Sequence, residues 1–187
     1  MNFADALRSP RKICLISNQT SMEKALSAAA DKAGLSDVLL CVCYEQSELH
    51  PLKELEPRFK ALRAAAPDTL IGIANVCTMV QLQGARSLGA DFLMTGFTDP
   101  ALIKEAARLN LPLAASVGTL SEMAAASELG ADAAALTFAD HLSAAQLAAM
   151  HRVFPNLPLI AVFAADPQDK AGACLASEIS CALSGNF

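Results

Sequence analysis

Leu88-Gly89-Ala90-Asp91 leads directly into an apolar run at residues 92–96, and the same four residues recur as Leu129-Gly130-Ala131-Asp132 ahead of a second run at 133–138. Each glycine falls where an amphipathic segment ends, and glycine readily adopts the left-handed conformation that closes a helix. The repeat therefore predicts two helix-to-strand turns that are built in the same way. A repeated helix-turn-strand unit favours a barrel of parallel strands.

Apolar runs of strand length occur throughout the chain, with amphipathic segments between them. Eight strands are predicted, at residues 13–17, 38–44, 70–76, 92–96, 113–117, 133–138, 159–163 and 179–183. Seven helices are expected to begin near Ser21, His50, Thr78, Asp99, Thr119, Ser143 and Pro167. Helix start signals support these positions, since Asp99 precedes a first-turn Pro100, and Thr119 with Glu122 forms a capping-box pattern.

The runs are nearly continuous rather than alternating, which indicates strands that are covered on both faces. An open doubly wound sheet has the same pattern, but Ser17-Asn18-Gln19-Thr20 replaces the glycine-rich phosphate fingerprint expected after its first strand. We therefore predict an α/β fold, a (β/α)8 TIM-type barrel, in one domain over residues 1–187. The sequence ends just after the eighth run, so the last helix is expected to be missing. A short helix from residues 1–11 at one end of the barrel, or a partner subunit, is expected to cover the gap.

Composition limits the classes of function. Hydrophobic residues make up 53% of the 187 residues, while aromatic residues make up 5% and tryptophan is absent. The core is therefore expected to consist mainly of alanine, leucine, isoleucine and valine, and the length suits a single domain. The formal net charge is −5 and the 14 basic residues are scattered, which argues against a nucleic-acid partner.

The location and the redox state follow from similar observations. The first twelve residues carry four charged side chains and lack the apolar core of a signal peptide, and no uncharged apolar run is long enough to span a membrane. The six cysteines lie mostly inside strand-like runs, so we interpret them as reduced thiols of a cytoplasmic protein. Cys41-x-Cys43 with Cys77 lacks the usual spacing of paired zinc ligands, which favours packing roles. Neither a metal nor another cofactor is expected.

From residue 70 to residue 138 the sequence resembles the family of 2-keto-3-deoxy-6-phosphogluconate (KDPG) and 4-hydroxy-2-oxoglutarate (KHG) aldolases. Residues 70–76 resemble the family's I-G-A-G-T-V strand, and residues 89–95 resemble its G-A-x-F-x-x-S stretch. Residues 111–132 follow its I-P-x-x-P-G-V-x-T-P-T-E…E-L-G-A-D pattern at matching spacing. The resemblance implies a (β/α) barrel, usually a trimer, that cleaves a 2-keto acid to pyruvate and an aldehyde through a lysine Schiff base.

The positions that carry this chemistry in the family hold other residues here. The Schiff-base lysine on the sixth strand corresponds to Ala135, the glutamate acid/base on the second strand to Cys41, and the arginine that holds the substrate carboxylate to Glu45. A Schiff base needs a free amine, and a carboxylate near Glu45 is repelled rather than held. The glycine-rich phosphate turn after the seventh strand is replaced by residues 163–167, and only Ser184-Gly185 resembles its other half.

In barrels of this type the C-terminal ends of the strands carry the chemistry. The ligand-binding candidates are Ser17, Glu45, Asn75, Thr95, Ser116, Thr119, Thr137, Ser184 and Gly185, with Asn18, Cys77, Asp140, His141 and Asp166 also at these ends. Glu45 is the one catalytic candidate, either as a general base in a partly apolar mouth or as a rim carboxylate that faces water. His141 either orients a ligand or is a solvated loop residue. Asn75, Thr95 and Ser116 either bind a polar ligand or bond each other.

Three functions are compatible with these residues. The residues favour a barrel of aldolase descent that has lost Schiff-base chemistry and binds a small ligand or a partner protein. The alternatives are an active lyase on a small 2-oxo acid with a rearranged site, and a non-catalytic oligomeric scaffold, with a homotrimer as the expected assembly. Fold alone does not choose among them, and Ala135 is the feature that discriminates. The sequence leaves open whether the chain is an enzyme.

Overall fold

The computed structural model describes residues 3–7, 9–16, 38–44, 51–163, 173–177 and 179–184. Within these ranges, eight parallel strands form one closed barrel, in which each strand pairs with the next in sequence and the last pairs with the first. The strands are β1 (Lys12–Ile16), β2 (Val38–Cys43), β3 (Ile71–Val76), β4 (Phe92–Thr95), β5 (Leu113–Val117), β6 (Ala133–Leu136), β7 (Leu159–Phe163) and β8 (Ser180–Ser184). The predicted TIM-type barrel is confirmed.

The helices alternate with these strands. They are α1 (Phe3–Ala6), α2 (Pro51–Ala65), α3 (Met79–Ser87), α4 (Pro100–Arg108), α5 (Leu120–Glu128) and α6 (Ala144–Val153), with a 3₁₀ turn at Ala139–His141 and helical residues at 173–176. The helices predicted to begin near Ser21 and Pro167 lie outside the described residues. In the part of the chain that the structure describes, no helix has the length and apolar character needed to cross a bilayer.

The helix ends form at the predicted signals. The Asp99 carboxylate accepts hydrogen bonds from the backbone N–H groups of Ala101 at 2.7 Å and Leu102 at 3.5 Å, and it caps α4 ahead of a first-turn proline. Gly89 and Gly130 have φ angles of 77° and 89°, which is the left-handed conformation expected after a helix.

The repeated Leu-Gly-Ala-Asp turn ties each of two strands to its neighbour. The Asp91 Oδ2 atom accepts a hydrogen bond from the backbone N–H of Ile71 at 2.7 Å, and Asp132 Oδ2 accepts one from the N–H of Leu113 at 2.9 Å. Both N–H groups belong to the first residue of the preceding strand, at the N-terminal end of the barrel. Asp91 also forms a salt bridge of 2.5 Å with Arg63 of α2. The repeat is therefore a device that fixes strand register at the N-terminal end of the barrel.

Alternate strand residues face two apolar layers, as the continuous apolar runs predicted. One face packs against the helices, and the other fills the barrel interior. The interior cluster consists of Phe3, Ala6, Leu7, Ile13, Leu15, Leu39, Cys41, Ala74, Phe92, Met94, Ala114, Ala133, Ala135, Ile160 and Ala182. The rings of Phe3 and Phe92 stack with their centroids 4.2 Å apart and an interplanar angle of 7°. Because Phe92 opens β4, helix α1 lies at the N-terminal end of the barrel.

The strand ends lie within one residue of the prediction, except at the end of β6. Strand β6 ends at Leu136 rather than at residue 138, because Phe138 has a φ of 65°, which a strand cannot accommodate. Strand β3 begins at Ile71, and the preceding Leu70 is only half-buried. Within β3 the partly exposed residue is Asn75, which has a φ of 61° and lies where the register against β4 shifts. Strand β5 is buried along its whole length.

Gly72 lies opposite Phe92 in the register of β3 and β4, and a Cβ atom on it would overlap the Phe92 ring. Replacing Gly72 with alanine should lower the free energy of unfolding by about 1–3 kcal/mol, because overpacking displaces the ring that also stacks on Phe3. Gly118→Ala is the matched control, since the nearest atom to its Cβ, Glu122 Oε2, would lie at an ordinary 3.5 Å. Urea unfolding measures both variants, and equal midpoints would contradict the prediction.

Candidate functional site

The structure describes part of the predicted site. Ser17, Asn18, Glu45, Asp166 and Gly185 lie outside the described residues, so the catalytic candidate Glu45 stays a prediction. Ser184 ends β8, and its side chain also lies outside the description. The described candidates are Asn75, Cys77, Thr95, Ser116, Thr119, Thr137, Asp140 and His141.

The barrel interior at the family's lysine position is apolar. Ala135 and Cys41 are both 0% exposed and belong to the same interior cluster. Burial is the largest cause that raises the pKa of the Cys41 thiol well above its ordinary value, with Cys43 and Cys14 adding to it. Cys41 is therefore a neutral thiol that packs as a small hydrophobe. Cys41 faces the barrel interior and supplies no carboxylic acid at this position.

No described lysine belongs to the C-terminal end of a strand. Lys53, Lys60 and Lys104 are exposed on helices α2 and α4, and Lys12 is the first residue of β1, at the opposite end of the barrel. A Schiff-base nucleophile needs its amine within reach of a substrate in the barrel mouth. Among the described residues, no lysine stands at the C-terminal end of a strand or lines the cleft there.

Thr95 and Ser116 bond each other at the ends of β4 and β5. The Ser116 N–H donates to Thr95 Oγ1 at 2.9 Å, and the Ser116 hydroxyl donates to the Thr95 carbonyl at 2.5 Å. Both residues are buried. Of the two interpretations that the sequence allowed, the structure shows mutual bonding, which holds the two strand ends together.

Asn75 has a structural role at the end of β3. Its side-chain Nδ2 donates to the Tyr44 carbonyl at 2.8 Å, and its backbone carbonyl accepts from the Cys77 thiol at 3.4 Å. A Cβ on Gly96 would collide with the Cys77 sulfur and lie 2.7 Å from Asn75 Oδ1. Asparagine tolerates a left-handed backbone better than most residues. Asn75 therefore supports an irregular strand end that requires glycine just after the neighbouring strand β4.

A cleft of about 260 Å³ opens at the C-terminal ends of β4, β5 and β6. It is lined by Gly96, Phe97, Thr98, Ser116, Val117, Gly118, Glu122, Thr137 and Phe138. Two of the predicted ligand-binding residues, Ser116 and Thr137, are among them. Phe97, Thr98 and Phe138 were missed. A signal for the two aromatic residues was present, because each stands at the ninth position after the leucine of a Leu-Gly-Ala-Asp repeat.

The hydroxyl groups of the cleft donate to the barrel. The Thr98 hydroxyl donates to the Ser116 carbonyl at 2.6 Å, and the Thr137 hydroxyl donates to the Val117 carbonyl at 3.3 Å. A hydroxyl has one proton and two acceptor lone pairs. These oxygens are therefore available to a ligand mainly as acceptors.

Glu122 is the charged residue among those that line the cleft. Its Oε2 atom accepts from the Gly118 N–H at 2.8 Å and from the Thr119 hydroxyl at 3.0 Å, while Thr119 Oγ1 accepts from the Glu122 N–H at 3.2 Å. The Gly118 hydrogen bond is the largest cause that lowers the pKa of Glu122, and the Thr119 hydroxyl is the next. Thr119 thus caps α5, and Glu122 is ionised at neutral pH.

His141 and Asp140 lie in the 3₁₀ turn after β6. His141 is exposed, which agrees with the solvated-loop interpretation. Within the described ranges, no group of three histidine, cysteine, aspartate or glutamate residues is arranged to hold a metal ion. The six cysteines are thiols rather than disulfides.

Replacing Glu122 with glutamine should make the free energy of unfolding depend less on pH in the acidic range. The pKa of Glu122 in the folded state lies below the ordinary value of 4.5. The ionised carboxylate therefore stabilises the fold fully above that ordinary value, and this stabilisation is lost as the pH falls through the lower, folded-state pKa. The difference in free energy of unfolding between wild type and Glu122→Gln should therefore be constant near neutral pH and shrink below about pH 5. Urea unfolding across this range measures it, with Glu128→Gln on the same helix as the control. A difference that does not change with pH would contradict the prediction.

Three comparisons place the chain among known proteins. The family model for KDPG and KHG aldolase matches residues 55–182. A 2-dehydro-3-deoxy-phosphogluconate aldolase of Haemophilus influenzae is 36% identical over 74 residues, which are 40% of this chain and 35% of that protein. The match thus spans about a third of the length of this relative.

Two solved structures show the same fold. One is a KDPG aldolase from Legionella pneumophila with pyruvate captured at low pH as a covalent carbinolamine intermediate, at 18% identity, 97% coverage of this chain, 85% of that chain and a TM-score of 0.70. The other is a designed cube-shaped cage that fuses symmetric oligomeric domains, at 19% identity, 94% coverage of this chain, 63% of that chain and a TM-score of 0.75. Since the family model matches more than half of the sequence, the chain belongs to the family of KDPG and KHG aldolases.

Proposed function

We propose that this barrel has lost the Schiff-base lyase chemistry of its family and binds a small ligand at its C-terminal mouth. The observation that carries the proposal is Ala135, which is buried in the barrel interior at the position where the family has its lysine. A methyl group provides neither an amine to attack a keto group nor a base to move a proton. A Schiff base between the protein and a keto acid therefore cannot form at this position.

The surroundings of Ala135 support the same conclusion. Cys41 replaces the family's acid/base and is held neutral by burial. General acid/base catalysis needs a group whose pKa lies near the working pH, and a buried thiol with a raised pKa is far from it. On the sequence match, Glu45 puts a negative charge where the family holds the substrate carboxylate with arginine.

The mouth nevertheless keeps the features of a binding site. The cleft between β4 and β6 is concave, and its wall combines aromatic rings with hydroxyl oxygens and one carboxylate. Small-molecule sites commonly combine apolar walls with a few polar groups that fix orientation. Its volume of about 260 Å³ suits a ligand smaller than a typical drug.

A scaffold role is the second candidate, and one observation favours it. Phe97 and Phe138 are 51% and 72% exposed, and exposed apolar surface is common at subunit contacts. We propose that the assembly is a homotrimer, as the family resemblance implies. We also propose that the protein is located in the cytoplasm, where buried thiols stay reduced. Light scattering measures the assembly, and a melting temperature that responds to small ligands distinguishes a binding protein from a scaffold.

Sodium borohydride in the presence of pyruvate should trap no stoichiometric adduct on the wild-type protein. The reason is that Ala135 has no amine, and a Schiff base forms efficiently only on a lysine that is activated by its surroundings. Intact-protein mass spectrometry measures the adduct, and a lysine-dependent aldolase of the same family is the positive control. One adduct per chain that maps to a single lysine would overturn the proposal.

Returning the family residues should not restore efficient catalysis. Ala135→Lys alone should give no pyruvate release above background, and the triple change Ala135→Lys, Cys41→Glu, Glu45→Arg should give weak activity, because catalytic groups must hold their geometry to about 0.5 Å.

Wild type should also show no rise in melting temperature with millimolar 2-keto-3-deoxy-6-phosphogluconate, since a ligand at 100 times its Kd stabilises by about 2.7 kcal/mol. Efficient cleavage by the single variant, or a clear rise for wild type, would show that the family site is preserved.

A further inference from the structure

Two aromatic residues line the cleft between β4 and β6, and they occupy equivalent positions after the two Leu-Gly-Ala-Asp repeats. Phe97 follows β4 and Phe138 follows β6, and both line the cleft although both are largely exposed. Strand β5 lies between β4 and β6 in the barrel. The two rings therefore flank the end of β5 from opposite sides.

The exposure of Phe138 has no explanation in core packing. Its backbone φ of 65° is a conformation that residues with large side chains rarely adopt, and its ring is 72% exposed. Residues in such conformations cluster at ligand-binding sites, where the surrounding structure holds them. The observation points to a ring that is displayed for contact with another molecule.

The polar groups between the rings are acceptors. The hydroxyl protons of Thr98 and Thr137 are directed at barrel carbonyls. Glu122 contributes a carboxylate, which has about four acceptor positions, more than the donors of Gly118 and Thr119 occupy. A ligand that complements this wall must supply hydrogen-bond donors.

Anions are disfavoured at the same place. The exposed N–H groups at a helix N-terminus commonly bind phosphate or carboxylate. At the N-terminus of α5, however, the Gly118 N–H already donates to Glu122, and Thr119 caps the Glu122 N–H. An incoming anion would meet a carboxylate in place of these donors, and no lysine or arginine is among the residues that line the cleft.

We propose that this cleft binds a small planar organic cation that carries N–H donors, of the amidinium or guanidinium class. Its charged plane packs against Phe97 and Phe138, whose faces attract cations, and its N–H groups donate to Glu122 and the hydroxyl oxygens. The inference rests on the proposed ligand-binding function and gives its ligand class. That class differs in charge from the keto acids that the family cleaves.

Three probes of matched shape test the proposal: benzamidinium, benzamide and benzoate, which carry one positive charge, no charge and one negative charge. Protein-observed NMR titration at low salt measures binding to the full chain. Benzamidinium should bind at least about tenfold more tightly than benzoate, which corresponds to about 1.4 kcal/mol, with benzamide between them. The shifted resonances should include those of Gly118 and Thr137.

Two variants separate charge from ring contact. Glu122→Gln keeps an acceptor for the Gly118 N–H but removes the charge, so it should weaken benzamidinium about fivefold and leave benzamide unchanged. Phe138→Gly should weaken benzamidinium and benzamide about two- to fivefold. It should also raise the midpoint of unfolding, because glycine adopts a positive φ without strain. The matched controls are Glu128→Gln and Val80→Ala, which change an exposed charge and an exposed apolar side chain outside the cleft.

Three results would overturn this inference. They are tighter binding of benzoate than of benzamidinium, an equal effect of Glu122→Gln on all three probes, and no binding of any probe at millimolar concentration. The first two would leave ligand binding at the mouth intact and refute only the cationic class. The loss of Schiff-base chemistry is decided separately by borohydride trapping, so the two proposals fail in distinguishable ways.

Discussion

An eight-stranded barrel encloses about as much space as its inward side chains fill, so the volumes at these positions decide how the sheet closes and where polar groups fit. In this chain the largest inward side chain, Phe92, stacks on Phe3 and lies against Gly72 on the neighbouring strand. Alanines fill inward positions of β3, β5, β6 and β8. The closed barrel depends on this distribution, because a side chain at Gly72 would displace the ring on which helix α1 packs.

The same distribution bears on Ala135, the position that corresponds to the family's lysine in the sequence resemblance. Ala135 belongs to an apolar interior cluster, and a lysine placed in such a cluster loses the hydration of its ammonium group, which lowers the pKa of the amine and costs stability. Members of the family that use this lysine must provide polar partners for it. Cys41, which belongs to the same interior cluster, is a buried thiol. The apolar packing of the interior therefore suits alanine at position 135 and would not suit a lysine there.

The sequence predicted the strands well, because apolar runs buried on both faces leave a signal that does not depend on tertiary detail. It also placed the Leu-Gly-Ala-Asp turns and the cap at Asp99. The end of β6 was wrong by two residues, since composition alone makes Thr137 and Phe138 look like a continued strand, and a positive φ at Phe138 leaves no local signal. Thr95 and Ser116 were named as candidates, but only the three-dimensional register shows that they bond each other.

The aromatic walls of the cleft illustrate a different limit. A hydrophobicity pattern treats every phenylalanine as a core residue, and so it could not separate the buried Phe92 from the exposed Phe97 and Phe138. The information was in the repeat, which places both residues at the same distance from Leu88 and Leu129. The equal spacing predicts a shared cleft only when β4 and β6 are known to lie on either side of β5. The two equivalent sequence positions then line the same cleft. A repeat that first serves to fix strand register at one end of the barrel thus also builds the cleft at the other end.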